Sequence, residues 1–174
     1  ALSNQKSLGI AKLRSRQFIN GFMDRRNVIP DLIAAESYNT ETRELSYDPT
    51  IYDPETEVWA VDFEQPSSQA AFMMFESRLE VIEDPATGFV TVSLTHLSPM
   101  VAYEWVTWLI DDLNRELMLE AVEEAQQSID YLTEQVENTQ VVALEQVFYS
   151  LIEEQTKTIM LANSRPEYLF EIID

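Results

Sequence analysis

Leu8, Ala11, Phe18 and Phe22 fall on one stripe at helical spacing, behind a hydroxyl at Ser7 that can cap the helix start. This predicts a helix from Ser7 to about Asn27. Pro30 suits the first turn of a short second helix, Pro30 to about Glu36. From Ser37 to Glu57 the periodicity stops. Two Asp-Pro pairs (Asp48-Pro49, Asp53-Pro54) stand among Asn, Thr and Ser, which reads as a long loop rich in turn signals. Tyr38, Tyr47, Ile51 and Tyr52 argue that this loop packs against something rather than serving as a linker. A third helix opens at Gln65-Pro66-Ser67, with Ala70, Phe72, Met73, Phe75 and Leu79 on its apolar side.

Next, "LEVIED" (79–84), "PATG" and "FVTVSLTH" (89–96) predict a hairpin. Val90, Val92 and Leu94 alternate with Thr91, Ser93 and Thr95, the pattern of a half-buried strand. Gly88 supplies the permissive backbone that the turn needs. Ser98-Pro99 then starts a helix that meets no breaker until about Val136. Its apolar residues recur at Ala102, Trp105, Leu109, Leu113 and Leu117, then at Ala125, Ile129, Leu132 and Val136. Glu137-Asn138-Thr139 marks a turn. A further helix runs to about Ala162, with Leu144, Phe148, Leu151, Gln155 and Ile159 on one side. After a break at Asn163-Ser164-Arg165-Pro166, the chain is expected to end on a short apolar strand.

The fold class this implies is α+β. A small mixed sheet base with packed helices carries a long antiparallel helical hairpin protruding from it. The base takes approximately residues 1–110 and 164–174 and the protrusion approximately 111–163, within a single domain.

Charge changes the picture. The net charge is −20, which makes nucleic acid a poor partner because phosphate binding needs a basic patch. The charge is also uneven. Residues 1–30 hold six basic residues and one acid, a net +5, and the remainder carries −25. Residues 99–163 hold thirteen acids and two bases. A basic element beside a strongly acidic one suits docking, and a solvated basic helix face is the plain alternative. With no cysteine, disulfides, thiol catalysis and cysteine zinc sites are excluded. No stretch is long and apolar enough to span a bilayer. The chain begins without an initiator methionine, and is expected to be a piece of a longer protein.

Candidate chemistry is sparse. His96 is the only histidine. A Ser-His-Asp arrangement would have to use it, and no GxSxG-type stretch accompanies it, so a structural role is favoured. Glu123-Glu124 and Glu153-Glu154 lack the Glu-x-x-His partners of a carboxylate-bridged bundle site. "DPTIYDPETE" lacks the pattern of a calcium loop. Three glycines cannot make a phosphate loop. Trp59, Trp105 and Trp108 could stack on sugars, but Trp105 lies on the apolar stripe and favours the core. No catalytic, cofactor or metal residue is therefore assigned, and the chain does not read as an enzyme.

The segment "SIDYLTEQVENTQVVALEQVFYSLIEEQTKTIMLANSRPEYLFEIID" (128–174) resembles the bacterial polysaccharide chain-length determinants, the polysaccharide co-polymerase or Wzz-like family. "YSLIEEQTKTIMLAN" followed by "YLFEIID" is its most specific part. "VTVSLTHLSPMVAYEWVTWLIDDLN" (90–114) and "AKLRSRQFINGFM" extend the similarity over most of the chain, thinning in residues 28–60.

The resemblance implies a periplasmic domain between two inner-membrane helices that lie outside this sequence. It implies ring- or bell-shaped homo-oligomers that set the length of O-antigen or exopolysaccharide without catalysis or cofactor. Their partners would be the membrane polymerase and its lipid-linked polysaccharide. Ring contacts are heterologous, which leads to the expectation that Arg14, Arg16, Arg25 and Arg26 face acids of a neighbouring subunit. Reversing two of these arginines should then weaken assembly, less so at high salt. The rival readings are a helical adaptor, a carbohydrate-binding module using the tryptophans, and a hydrolase using His96.

Overall fold

The computed structural model describes residues 2–164 and 170–172. The elements in chain order are α1 (Leu2–Leu13), α2 (Arg16–Arg26), α3 (Ile29–Ile33), β1 (Ala35–Asn39), β2 (Glu44–Tyr47), β3 (Tyr52–Asp53), β4 (Val58–Trp59), α4 (Ser68–Glu76), β5 (Leu79–Glu83), β6 (Val90–Leu94), α5 (Pro99–Asn138) and α6 (Val142–Ser164). The class is α+β. The strands form three separate two-stranded antiparallel ladders, β1-β2, β3-β4 and β5-β6, in place of one mixed sheet. The chain divides into two compact units, Ala1–Ile110 and Asp111–Asp174, so the division falls inside α5.

The predicted first helix is two helices. Ser15 interrupts it with extended backbone and caps α2 by accepting from the Phe18 amide at 3.1 Å. The break resets the register. Leu8 and Ala11, expected on the buried stripe, are exposed, whereas Leu13, Phe18, Ile19 and Phe22 are buried. α2 ends where expected, with Asn27 in the left-handed region at φ 50° and its N–H turned back to Met23 and Asp24.

The predicted loop after α3 folds into β1 to β4. Its turns are closed by aspartates that lead Asp-Pro pairs. Asp48 accepts from the Thr50 amide and hydroxyl, and Asp53 from the Glu55 amide and the Thr56 hydroxyl. These bonds hold both carboxyls below their usual range. An aromatic row fixes the ladders to each other. Tyr47 meets Tyr52 at 5.8 Å, Tyr52 meets Trp59 at 5.0 Å, and Trp59 stacks on Phe63 at 5.6 Å.

Tyr47 also donates to the Asp31 carboxylate at 2.5 Å. Burial, then that hydrogen bond, push its phenol well above the ordinary value. The neutral form is thus favoured by folding. Its contribution is complete below the unfolded value of about 10 and is lost as pH rises above it. We expect the urea midpoint to decline above about pH 10, with a shallower decline in Tyr47→Phe. Equal slopes for the two proteins would contradict the assignment.

In the first unit, Phe22, Phe75 and Trp105 form the core, with ring centroids 5.6 and 5.7 Å apart in sequence. β5-β6 pairs Leu79 with Leu94 through Glu83 with Val90. Val90, Val92 and Leu94 are the less exposed residues of β6, as the alternation predicts. Gly88 takes φ 75° in the connecting turn. In this register the Val81 carbonyl points off the outer edge of β5, and Arg14 donates to it at 3.0 Å. That covers an edge otherwise open to pairing.

In the second unit, α5 continues from Asp111 to Asn138. A three-residue connection, 139–141, leads the chain into α6. α5 is 40 residues, about 60 Å at 1.5 Å per residue. Among the described residues, no helix is long and apolar enough to cross a membrane. The expected C-terminal strand lies largely outside the described residues. Phe170 to Ile172 are not in a strand. Phe170 is held by the buried Asn114 of α5, whose amide accepts from its N–H at 2.9 Å and donates to its carbonyl at 2.7 Å.

Candidate assembly surface

The four arginines singled out from the sequence do not form one patch. Arg14 and Arg16 flank the α1–α2 break. Arg25 and Arg26 stand at the far end of α2, about 15 Å away along the helix. Arg14 is engaged with Val81, and Arg16 donates to the Gln69 side chain at 2.8 Å. The Arg25 guanidinium folds back over Gly21, where an added Cβ would lie 2.9 Å from its Nη1. Arg26 lies over the Trp108 ring at 5.5 Å from the centroid. Arg14, Arg16 and Arg25 remain exposed.

His96 is fully committed to structure. The Ser98 amide donates to Nδ1 at 3.0 Å, so Nδ1 carries a lone pair and the ring proton sits on Nε2. Nε2 then donates to the Asp31 carbonyl at 2.9 Å, and the ring packs on Trp105 at 4.9 Å. This links the start of α5 to α3. Neither nitrogen is left to take a proton from a hydroxyl.

The tryptophans are also occupied. Trp105 is 0 % exposed, Trp108 carries Arg26, and Trp59 lies between Tyr52 and Phe63 in the aromatic row. Glu123, Glu124, Glu153 and Glu154 are all exposed. Glu153 pairs with Lys157 one turn later at 2.8 Å, which lowers the carboxyl and raises the ammonium. Among the described residues, no group of histidine, aspartate and glutamate could hold a metal ion. A cleft between the α1–α2 corner, α4 and β5 measures about 240 Å³ and is lined by Leu13, Ile19, Phe72 and Val81 with Arg14 and Glu80. That is smaller than the roughly 300–1,000 Å³ usual for a small-molecule site.

What the second unit offers is apolar surface. Its buried large apolar side chains among the described residues are Leu113 and Leu117 alone. Beyond them, the buried residues described in this unit are Ala125 and Ala162 and the polar Asp112 and Asn114. On α6 the covered row is Phe148, Ile152, Gln155, Ile159 and Ala162. Leu144 and Leu151, expected on that row, are exposed by 47 % and 39 %, with Val147 at 52 % and Leu161 at 57 %. Phe148, Gln155 and Ile159 lie on the covered row as expected, and the exposed Leu144 and Leu151 lie on a second apolar row beside it. Comparison of the chain with protein-family models, with curated proteins and with solved structures gives no match.

Proposed function

We propose that this chain is a non-catalytic regulator of polysaccharide length. It assembles with copies of itself and works with the membrane polymerase that extends a lipid-linked O-antigen or exopolysaccharide. It acts on the periplasmic side of a bacterial inner membrane. The carrying observation is the second unit: α5 from Asp111 to Asn138 and the 23-residue α6, with Leu113 and Leu117 as its large buried apolar side chains among the described residues. Helices of this length draw most of their stability from packing, and these leave a regular apolar row uncovered. That is the economy of an assembly module. The likeness of residues 90–114 and 128–174 to the chain-length determinants supplies the polysaccharide. The commitment of His96 and all three tryptophans to internal packing weakens the hydrolase and sugar-platform readings. The exposed arginines at the α1–α2 break and on α2 remain proposed polar contacts to acids of a neighbour.

Deleting the gene in its host tests the reading. Gel analysis of surface polysaccharide should change from a preferred length band to an unregulated spread. An unchanged profile would remove the polysaccharide role.

A further inference from the structure

The β5-β6 hairpin has two edges, and the chain treats them differently. Bonds from the Asp84 amide to the Phe89 carbonyl and from the Thr95 amide to the Arg78 carbonyl close its ends and fix the phase of the ladder. Glu80 and Ile82 therefore turn their backbone groups toward β6, while Leu79, Val81 and Glu83 turn theirs outward. On β6 the outward groups belong to Val90, Val92 and Leu94. The β5 edge is blunted. Arg14 covers the Val81 carbonyl, and Glu80 and Glu83 put charge on the strand. β6 has none of these devices. Counting His96 as neutral, no charge occurs from Pro85 to Tyr103. The strand holds no proline and its register no bulge. Among the described residues, nothing bonds to the outward N–H and C=O groups of Val90, Val92 and Leu94.

These donors and acceptors recur about every 6.8 Å along the open edge, the repeat of an extended chain. A two-stranded hairpin is marginal alone and gains from a third strand. The side chains give a second sign. Val90, Val92 and Leu94 lie half-covered on one face with Leu79 and Val81. Ile82 and Phe89 have the opposite parity and are 51 % and 62 % exposed. A strand laid along β6 would bring alternate side chains beside each set.

We infer that the outer edge of β6 docks an extended, basic segment of a different polypeptide, with apolar β-branched residues at alternate positions. The main chain would supply the affinity and the alternate side chains the choice of segment. Charge selects the occupant. The net charge is −20, and Glu80, Glu83 and Asp84 stand on or beside the neighbouring strand. A cationic segment is drawn to this field, whereas a second copy would set the same acidic hairpin against it. The inference uses the first unit alone and is independent of the polysaccharide reading.

The test adds the capped synthetic peptide Lys-Val-Thr-Val-Thr-Val-Lys to the 174-residue chain. At about 1 mM peptide, the amide resonances of Val90, Val92 and Leu94 should shift. Their hydrogen exchange should slow at least about tenfold, with Leu79, Val81 and Glu83 unchanged. A copy of the peptide N-methylated at its valines should have no effect, because those N–H groups are the ones that would face β6. Val92→Pro should abolish the response, since proline fits an edge position whose N–H faces outward. Circular dichroism checks its fold, and if that variant unfolds the N-methylated peptide makes the same comparison. In the full-length protein in its host, a photo-crosslinking residue at Ser93 should then join the chain to a different polypeptide.

No response of the three amides overturns the inference, as does an equal response to the N-methylated peptide. Protection of these amides that grows with the concentration of the chain alone would assign the edge to a second copy and overturn it too. So would a cross-link from Ser93 to another copy or within the same chain. If gene deletion leaves polysaccharide length unchanged, the functional reading fails and this inference stands. If deletion abolishes the length band while the three amides ignore the peptide, the reverse holds.

Discussion

Trp105→Ala is expected to remove about 3–5 kcal/mol of stability, the range for deleting a large aromatic from a closed core. Trp105 is fully buried and touches Phe75 on one side and His96 on the other. Through Phe75 it joins Phe22, so three elements, α2, α4 and α5, meet at one aromatic cluster. Through His96 it reaches the Asp31 carbonyl and the start of α5. The cavity cannot close easily, because its walls belong to separate elements tied by their own hydrogen bonds. A domain of this kind has about 5–15 kcal/mol in total, so the substitution would bring it near unfolding at ambient temperature. Urea unfolding followed by near-ultraviolet circular dichroism measures the loss. Trp108→Ala is the control. Trp108 is half-buried beneath Arg26, and its loss should cost less than half as much. Equal and small shifts for the two tryptophans would mean that the core lies elsewhere.

Asn114→Leu should produce the second large effect. Leucine fits the volume but offers no polar atom. The Asn114 amide presents a donor and an acceptor side by side, as a peptide group does, and Phe170 uses both. Without them the Phe170 N–H and C=O lose their partners, at about 1–3 kcal/mol for each group left unsatisfied. The total of about 2–6 kcal/mol is read as amide exchange at Phe170 roughly 30- to 25,000-fold faster. Asn114→Asp keeps the acceptor and loses the donor, so it should protect the Phe170 amide while setting a carboxylate against its carbonyl. If exchange at Phe170 is unchanged in Asn114→Leu, the clamp does not hold the segment.

The long helix was legible because its period persists from Ala102 to Val136 without a breaker, and Ser98-Pro99 announces its start. The β5-β6 hairpin was legible for the same reason at period two. The ladders between Ala35 and Trp59 were not. Strands of two to five residues give too few alternations to stand out from turn chemistry. The tyrosines that close them were read only as a sign of packing. The break at Ser15 was also missed. Its flanks are good helix formers, and only the bond from the Phe18 amide to Ser15 reveals the cap. Asn114 was invisible because its partner lies 56 residues away.

The candidate surface was half legible. The acidic field over residues 99–163 and the basic start of the chain are compositional facts, and they pointed to docking. Which apolar row of α6 faces inward depends on the neighbour it meets. Leu144 and Leu151 fit the helical period as well as Phe148 and Ile152 do.

The most direct measurement restores the deleted gene in its host, once as wild type and once as Val147→Glu with Leu151→Glu, at matched protein levels. Surface polysaccharide is then resolved by length on a gel. The account predicts that wild type returns a band of preferred length and the variant leaves an unregulated spread. The same band with both proteins, or no band with either, would contradict it.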